Sequence, residues 1–219
     1  KKYGLCATFY VAGDAIITGK IWNEELTHAV LKTKKSQLHL SKIGIDMLPV
    51  ASEKEKKAAI NTLKALLKNQ KNEIRDNYLS ELVFEADSVA SDRYMMTEAQ
   101  LQAMAQDPSV TIGCHSMSHP MLSYMSKDAA RVDVQHCLDY LQALLQRPIV
   151  HFAYPYGKYG VDFHAEHVNC IADLPLKTAV TTEWGTIDSK SSFYLLRRFT
   201  PWNLNIFHFF IQLCKNYYR

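Results

Sequence analysis

The sequence has no Cys-x-x-Cys pair, and its five cysteines, Cys6, Cys114, Cys137, Cys170 and Cys214, are odd in number and far apart. That pattern excludes a disulfide framework and a zinc ribbon and points to reduced thiols. Glycine (8) and proline (7) are scarce among 219 residues, and no low-complexity, collagen-like or Pro/Gly/Ser-rich linker segment is present. Charge of one sign is not in excess either. The 25 Lys and Arg against 22 Asp and Glu leave +3, too little for the concentrated positive field that nucleic-acid backbones require, so no nucleic-acid partner is expected. No apolar run approaches the ~18 residues of a membrane span. The most apolar stretch, Ile206 to Cys214, is about half that length and contains His208 and Gln212. The opening Lys1-Lys2-Tyr3-Gly4 has no signal-peptide character and no initiating Met, which leaves room for native residues upstream. Reduced thiols without a visible export signal make the cytoplasm the expected compartment.

What remains is an ordinary globular composition, 47% hydrophobic and 21% charged, in a chain long enough to bury a core without staples. Leu5 to Ala12, bounded by Gly4 and Gly13, reads as a buried strand. From about 20 to 95 the pattern turns charged and helix-favouring, with a capping box at Ser52-Glu53-Lys54-Glu55 ahead of Ile60, Leu63, Leu66 and Leu67. This stretch is expected to be a mostly helical insertion. Thr97 caps a short helix, and Val110 to Cys114 is a strand. Ser126 caps a long helix with Val134, Cys137, Leu138, Leu141, Leu144 and Leu145 on one stripe. The order then predicts a strand over Ile149 to Tyr154, a helix from Gly160 through Ile171, strands at Lys177 to Thr182 and Phe193 to Phe199, and a last helix from about Asn205. Helices alternating with strands imply an α/β fold with a parallel sheet, open or closed into a barrel, and a single domain over 1–219.

Two stretches carry chemistry. In Gly113-Cys114-His115-Ser116-Met117-Ser118-His119-Pro120, two histidines four apart follow directly on a strand. Four extended residues would separate them by about 13 Å, whereas a turn brings their side chains together. Such a turn at the carboxyl end of a strand, where parallel α/β folds place their sites, could aim both imidazoles at one metal. The spacing is equally compatible with capping or surface histidines. In Ala153-Tyr154-Pro155-Tyr156-Gly157, Pro155 and Gly157 set up a turn that could present the Tyr156 N–H as an oxyanion donor; an ordinary aromatic turn has the same residues.

Together, and in this order, the two stretches resemble the polysaccharide deacetylases, the NodB-homology group that includes chitin and peptidoglycan deacetylases. His115-Ser116-x-x-His119-Pro120 is similar to the family's His-Ser/Thr-x-x-His-Pro metal motif, and Ala153 to Gly157 stands in the place of its R-x-P-Y-G motif. The resemblance covers roughly 3–202. It implies a distorted (β/α) barrel and a divalent metal, usually zinc, with cobalt, nickel or manganese also suited to such ligands. His115 and His119 would be ligands beside an Asp. The implied reaction is hydrolytic removal of the acetyl group from an N-acetylated sugar, with a carboxylate base and the Tyr156 N–H on the oxyanion. Ser116 and Ser118 would orient the histidines, and Pro155 and Trp184 would contact the substrate.

The chain departs from the family pattern in three places. The T-F-D-D-G motif, source of the base and the ligand Asp, belongs just upstream of Lys2 to Tyr10; either the chain extends upstream or the protein lacks its base. Neither Asp14 nor Asp46 has the strand-end pattern of a substitute. Ala153 replaces an Arg, and Arg198, from Leu195-Leu196-Arg197-Arg198, is the residue expected to take over, unless that basic pair merely flanks a strand. The family's late His has no clear counterpart among His164, His167 and His208, so the general acid is unassigned. His164 and His167 read as a solvated helix face and His208 as a core histidine. Trp184 and Trp202 suit sugar-stacking walls or core positions, and Glu183 has no assigned role. Strand alternation turns Cys114 away from the site. The alternatives to a deacetylase are an inactive carbohydrate-binding or scaffold protein on the same fold and a different metallohydrolase or isomerase.

Overall fold

The computed structural model describes residues 4–88, 93–200 and 203–218. Along the chain the elements are β1 (Ala7–Val11), α1 (Gly13–Thr18), α2 (Trp22–Lys32), β2 (Gln37–Leu40), β3 (Ile45–Pro49), α3 (Glu53–Lys68), α4 (Asn72–Glu85), α5 (Glu98–Ala105), β4 (Val110–Cys114), α6 (Lys127–Leu145), β5 (His151–Ala153), α7 (Ala165–Ala172), β6 (Thr178–Val180) and α8 (Ile206–Tyr217). They fall into two compact units, one of Lys1–Gly13 with Leu101–Arg219 and one of Asp14–Gln100.

The first unit is built on a parallel sheet in the order β1-β4-β5-β6. Among the described residues its hydrogen bonds leave it open rather than closed into a barrel. Pairing of Val11 with Cys114 and of Ala153 with Val180 brings the carboxyl ends of all four strands to one edge. Gly113 permits this close stacking: a Cβ there would lie 2.6 Å from the Tyr10 ring and 3.1 Å from the His151 carbonyl, so a side chain would push β1 and β5 away. The long helix α6, capped by Ser126, buries Ala130, Val134, Cys137, Leu138 and Leu141. Each fully buried Leu or Val adds roughly 1.5–3 kcal/mol, so this stripe alone outweighs several strained backbone positions elsewhere in the unit.

Two expected elements differ. The helix after Gly160 starts only at Ala165, because the buried Asp162 accepts from the Lys158 N–H (2.9 Å) and holds a local turn in competition with the helix. Phe193 to Phe199 meets β6 at the Val180–Leu196 bridge and through the Ala179 N–H, which donates to Phe193 O (2.8 Å), instead of forming a continuous ladder. A turn inside the segment, in which Leu195 N–H donates to Ser192 O (3.0 Å), interrupts the pairing.

In the second unit, α2, α3 and α4 bury Leu26, Val30, Leu63, Leu67 and Leu82. The Ser52 and Glu55 capping box starts α3. This unit is not wholly helical: β2 and β3 form an antiparallel pair, with Leu38 and Leu40 buried on alternate positions and Gly44 in the left-handed conformation between the strands. The Arg75 guanidinium lies 5.5 Å from the Trp22 ring centroid, so its buried charge faces a π surface.

Candidate active site

The His115 N–H continues the sheet by donating to the Val11 carbonyl at 2.9 Å. The chain then leaves β4 through a turn in which Ser116 (φ 66°) and His119 (φ 50°) are both left-handed. For a residue with a Cβ each such position costs about 1–2 kcal/mol, so other contacts must hold the turn. Ser116 is fully buried, its Oγ accepts from the His119 N–H at 3.1 Å, and its carbonyl accepts from the Gly13 N–H at 3.2 Å. Asp133 on α6 does more. Its carboxylate accepts from the Met117 N–H (2.8 Å), the Ser118 N–H (3.2 Å) and the Ser118 hydroxyl (2.7 Å). Charge-assisted bonds of this kind are worth about 1.5–3 kcal/mol each, enough to offset the strain. The result is a ring-centroid separation of 4.8 Å between His115 and His119, with the planes at 74°.

The His115 Nδ1 lies 2.7 Å from the Ala153 carbonyl oxygen at the end of β5. A carbonyl only accepts, so Nδ1 carries the proton and Nε2 carries the lone pair in the neutral ring. Burial pushes this imidazole below its ordinary pKa; the bond to Ala153 opposes that, and the nearby Arg198 cation reinforces it. The ring is thus held neutral and in one tautomer.

After β5, the buried Tyr154 stacks on Phe163 with centroids 3.7 Å apart, and its hydroxyl donates to the Tyr194 carbonyl. The buried Pro155 leads into Tyr156 (φ 60°) and Gly157 (φ 80°). Thr182, just past β6, clamps this turn: its N–H donates to Gly157 O and its hydroxyl to Tyr156 O, both at 2.9 Å. A Cβ on Gly157 would lie 2.8 Å from Thr182 Cγ2 and 2.9 Å from Thr182 N, so only glycine suits the position. The turn sets the Tyr156 ring 5.1 Å from that of His119.

Arg198 joins the same edge. Its Nε donates to the Thr181 carbonyl at 2.6 Å and its N–H to the Glu183 carbonyl at 2.9 Å. Burial lowers its pKa, and its charge acts on both His115 and Tyr10. His115, His119, Tyr156 and Arg198, singled out from sequence on three separate segments, therefore gather at the carboxyl edge of one sheet.

The remaining sequence expectations divide. Half-buried Trp184 packs edge-to-face on Phe199 at 5.1 Å, and Trp202 lies outside the described residues. Cys114 points into the contact with α6, its Sγ 4.0 Å from the Val134 carbonyl, with burial and the neighbouring Cys137 pushing the thiol well up in pKa; it behaves as a small apolar residue. His167 is buried rather than on a solvated face: its Nδ1 accepts from the His164 N–H at 3.0 Å to cap α7, and its Nε2 meets the Met125 carbonyl. His208 is exposed on α8 instead of being in the core. The Ser116 hydroxyl accepts from the His119 N–H, and the Ser118 hydroxyl donates to Asp133, so both serines take part in closing the turn that carries the imidazoles. Asp133 was not anticipated, although its signal is in the sequence: it falls three residues after Ala130 and four before Cys137, an acid set into the buried stripe of α6.

Two imidazoles meeting face to edge, that of His115 fixed by an outer hydrogen bond, fit part of a divalent-metal ligand set. Among the described residues no group of three or more His, Cys, Asp and Glu side chains is placed to hold a metal ion.

A strained histidine turn and a tyrosine turn thus lie together at the carboxyl edge of the parallel sheet of an α/β protein. The family model described as polysaccharide deacetylase matches residues 45–175, and the chain belongs to that family. Among solved structures it is similar to the Streptococcus pyogenes deacetylase PplD in complex with acetate, at 25% identity over 51% of this chain and 46% of that one, with a TM-score of 0.44. It is also similar to the BpsB deacetylase domain from Bordetella bronchiseptica (18%, 51% and 56%, TM-score 0.43) and to BA3943, a CE4 family pseudoenzyme from Bacillus anthracis (25%, 40% and 28%, TM-score 0.33). The chain spans less than two thirds of each. No curated protein sequence matches it.

Proposed function

We propose that the chain is a metal-dependent carbohydrate N-deacetylase, on a distorted (β/α) barrel of the family type with Asp14–Gln100 as its insertion. The observation that carries this reading is the 4.8 Å approach of His115 and His119 beside Tyr156. His115 and His119 would hold the metal, zinc in the first instance, through ring nitrogens, the Nε2 of His115 being the one its hydrogen bond to Ala153 leaves bare. When bound, the metal supplies Lewis acidity at the amide carbonyl of an N-acetylated sugar. The chain's described residues take positioning and electrostatic roles, and none of them is assigned as general base or acid. Asp133 and Ser116 hold the histidine turn, the Tyr156 N–H is assigned to the developing oxyanion, and Arg198 supplies positive charge in a half-buried position where it is poorly screened. Pro155 and Trp184 are assigned to the sugar. The cytoplasmic placement expected from the free thiols belongs to the same reading; no helix among the described residues is long and apolar enough to cross a membrane.

The absence of a third ligand group among the described residues favours a second reading, an inactive carbohydrate-binding or scaffold protein. The two separate on one assay, acetate release from N-acetylhexosamine oligomers by chelated and zinc-reloaded protein. Zinc-dependent release supports the deacetylase. Oligomer binding without release under both conditions supports the scaffold.

A further inference from the structure

His115 shares its face of the sheet with two other polar side chains. Successive residues of a strand point to opposite faces, and Tyr10 pairs with Gly113, two residues before His115, so Tyr10 and His115 lie on the same face. Gly113 lets the Tyr10 ring settle across β4: a Cβ there would lie 2.6 Å from the ring Cδ1 and 2.7 Å from Cε1. At the other end of the sheet Leu196 bridges Val180 of β6. Two residues further on, Arg198 is fixed by its Nε at the Thr181 carbonyl (2.6 Å) and by its backbone N–H at the Glu183 carbonyl (2.9 Å). Neither bond uses the two terminal nitrogens of the guanidinium. Its charge reaches both Tyr10 and His115, and it takes part in none of the ion pairs among the described residues. Burial pushes the Tyr10 phenol above its ordinary pKa against the pull of Arg198, so the hydroxyl stays neutral and able to donate.

We propose that Arg198 and Tyr10 form the receptor for a carboxylate borne by the substrate, so that the glycan is an acidic one with a uronic acid beside the N-acetylated unit. The inference rests on the deacetylase reading and names its substrate class. A guanidinium fork matches the two oxygens of a carboxylate, and a phenol beside it adds a further donor. In a half-buried position the attraction is poorly screened, whereas a neutral sugar would cover the cation without compensating it. One cation also suits the single charge of a carboxylate better than the double charge of a phosphate monoester. The arrangement puts the acidic group next to His115 and His119, so binding it would set the register of the glycan on the site.

The test is calorimetric titration of the full chain with two probes of equal length, an oligosaccharide of alternating glucuronic acid and N-acetylglucosamine and an oligomer of N-acetylglucosamine alone. The acidic probe is expected to bind at least about tenfold more tightly. Arg198→Gln should bring the two probes to within about twofold of each other, and Arg198→Lys, which keeps the charge and loses the fork, should keep only part of the preference. Tyr10→Phe should weaken the acidic probe about threefold and leave the neutral one unchanged. Equal binding of the two probes by the parent, binding of neither, or a preference that survives Arg198→Gln overturns the proposal. Free acetate that displaces both probes equally, with no preference between them, also overturns it and gives the fork to the product's carboxylate. The deacetylase reading fails on a different result, the absence of acetate release from either probe by the zinc-reloaded protein.

Discussion

The Nδ1 of His115 lies 2.7 Å from the carbonyl oxygen of Ala153, so the end of one strand decides which nitrogen of a histidine on the next strand is protonated. The contact is made by the Ala153 backbone at the end of β5 and not by its side chain.

His115 is therefore expected to show a protonated Nδ1 and a bare Nε2 in nitrogen-15 correlation spectra of the metal-free protein. Because its folded pKa lies below the ordinary imidazole value, the unfolded chain takes up the proton first as pH falls. This group's contribution to stability is present above the ordinary imidazole pKa and declines as pH drops through that value. A ring that protonates at or above that value in the folded protein contradicts the assignment.

His119→Ala removes a ring that the strained turn holds beside His115. Zinc affinity by calorimetric titration should fall by at least about a hundredfold, more than loss of an outer partner causes, together with any acetate release. Unchanged affinity would remove His119 from the ligand set.

Asp133→Ala breaks three hydrogen bonds that close the turn over Met117 and Ser118. Some of the released groups are partly exposed and regain water. Denaturant unfolding should report a loss of about 2–4 kcal/mol at unchanged m, with zinc binding about tenfold weaker or more. Asp133→Asn, which keeps one accepting oxygen, should recover part of both. Equal damage from the two variants would mean that packing, not the acceptor, is what the position supplies.

Gly157→Ala places a Cβ against Thr182 at a φ of 80°. The cost should be about 1–3 kcal/mol by thermal or chemical unfolding. If Tyr156 acts through its backbone, Tyr156→Phe should leave kcat within about twofold while Gly157→Ala lowers it about tenfold or more. A larger effect from losing the Tyr156 hydroxyl would transfer the role to the side chain.

Local chemistry made much of this protein legible from its residues. The capping boxes at Ser52 and Thr97, the Ser126 cap and the stripe on α6, and the extended course of β1 and β4 follow from propensity and period acting within a few residues, but β1 stands at the end of the sheet order with Ala7, Thr8 and Phe9 exposed, not as the buried strand its apolar run suggests. The β2 and β3 pair was also readable, since Gln37-Leu38-His39-Leu40 alternates cleanly before Gly44, but the surrounding charged sequence reads as helix. The two histidines and the tyrosine turn were visible as motifs. Their meeting was not, because it depends on parallel register placing Cys114, Ala153 and Val180 at one edge and on Asp133 reaching across from α6 to hold two left-handed residues. Likewise the composition of α8 shows an apolar helix, and only the contacts of Asn216 with Gly185 and of Phe209 with Phe199 decide which of its edges is covered. Sequence determines what each segment prefers over a turn or two of chain. Which side chains converge is settled by contacts between residues far apart in sequence, whose free energy no local pattern contains.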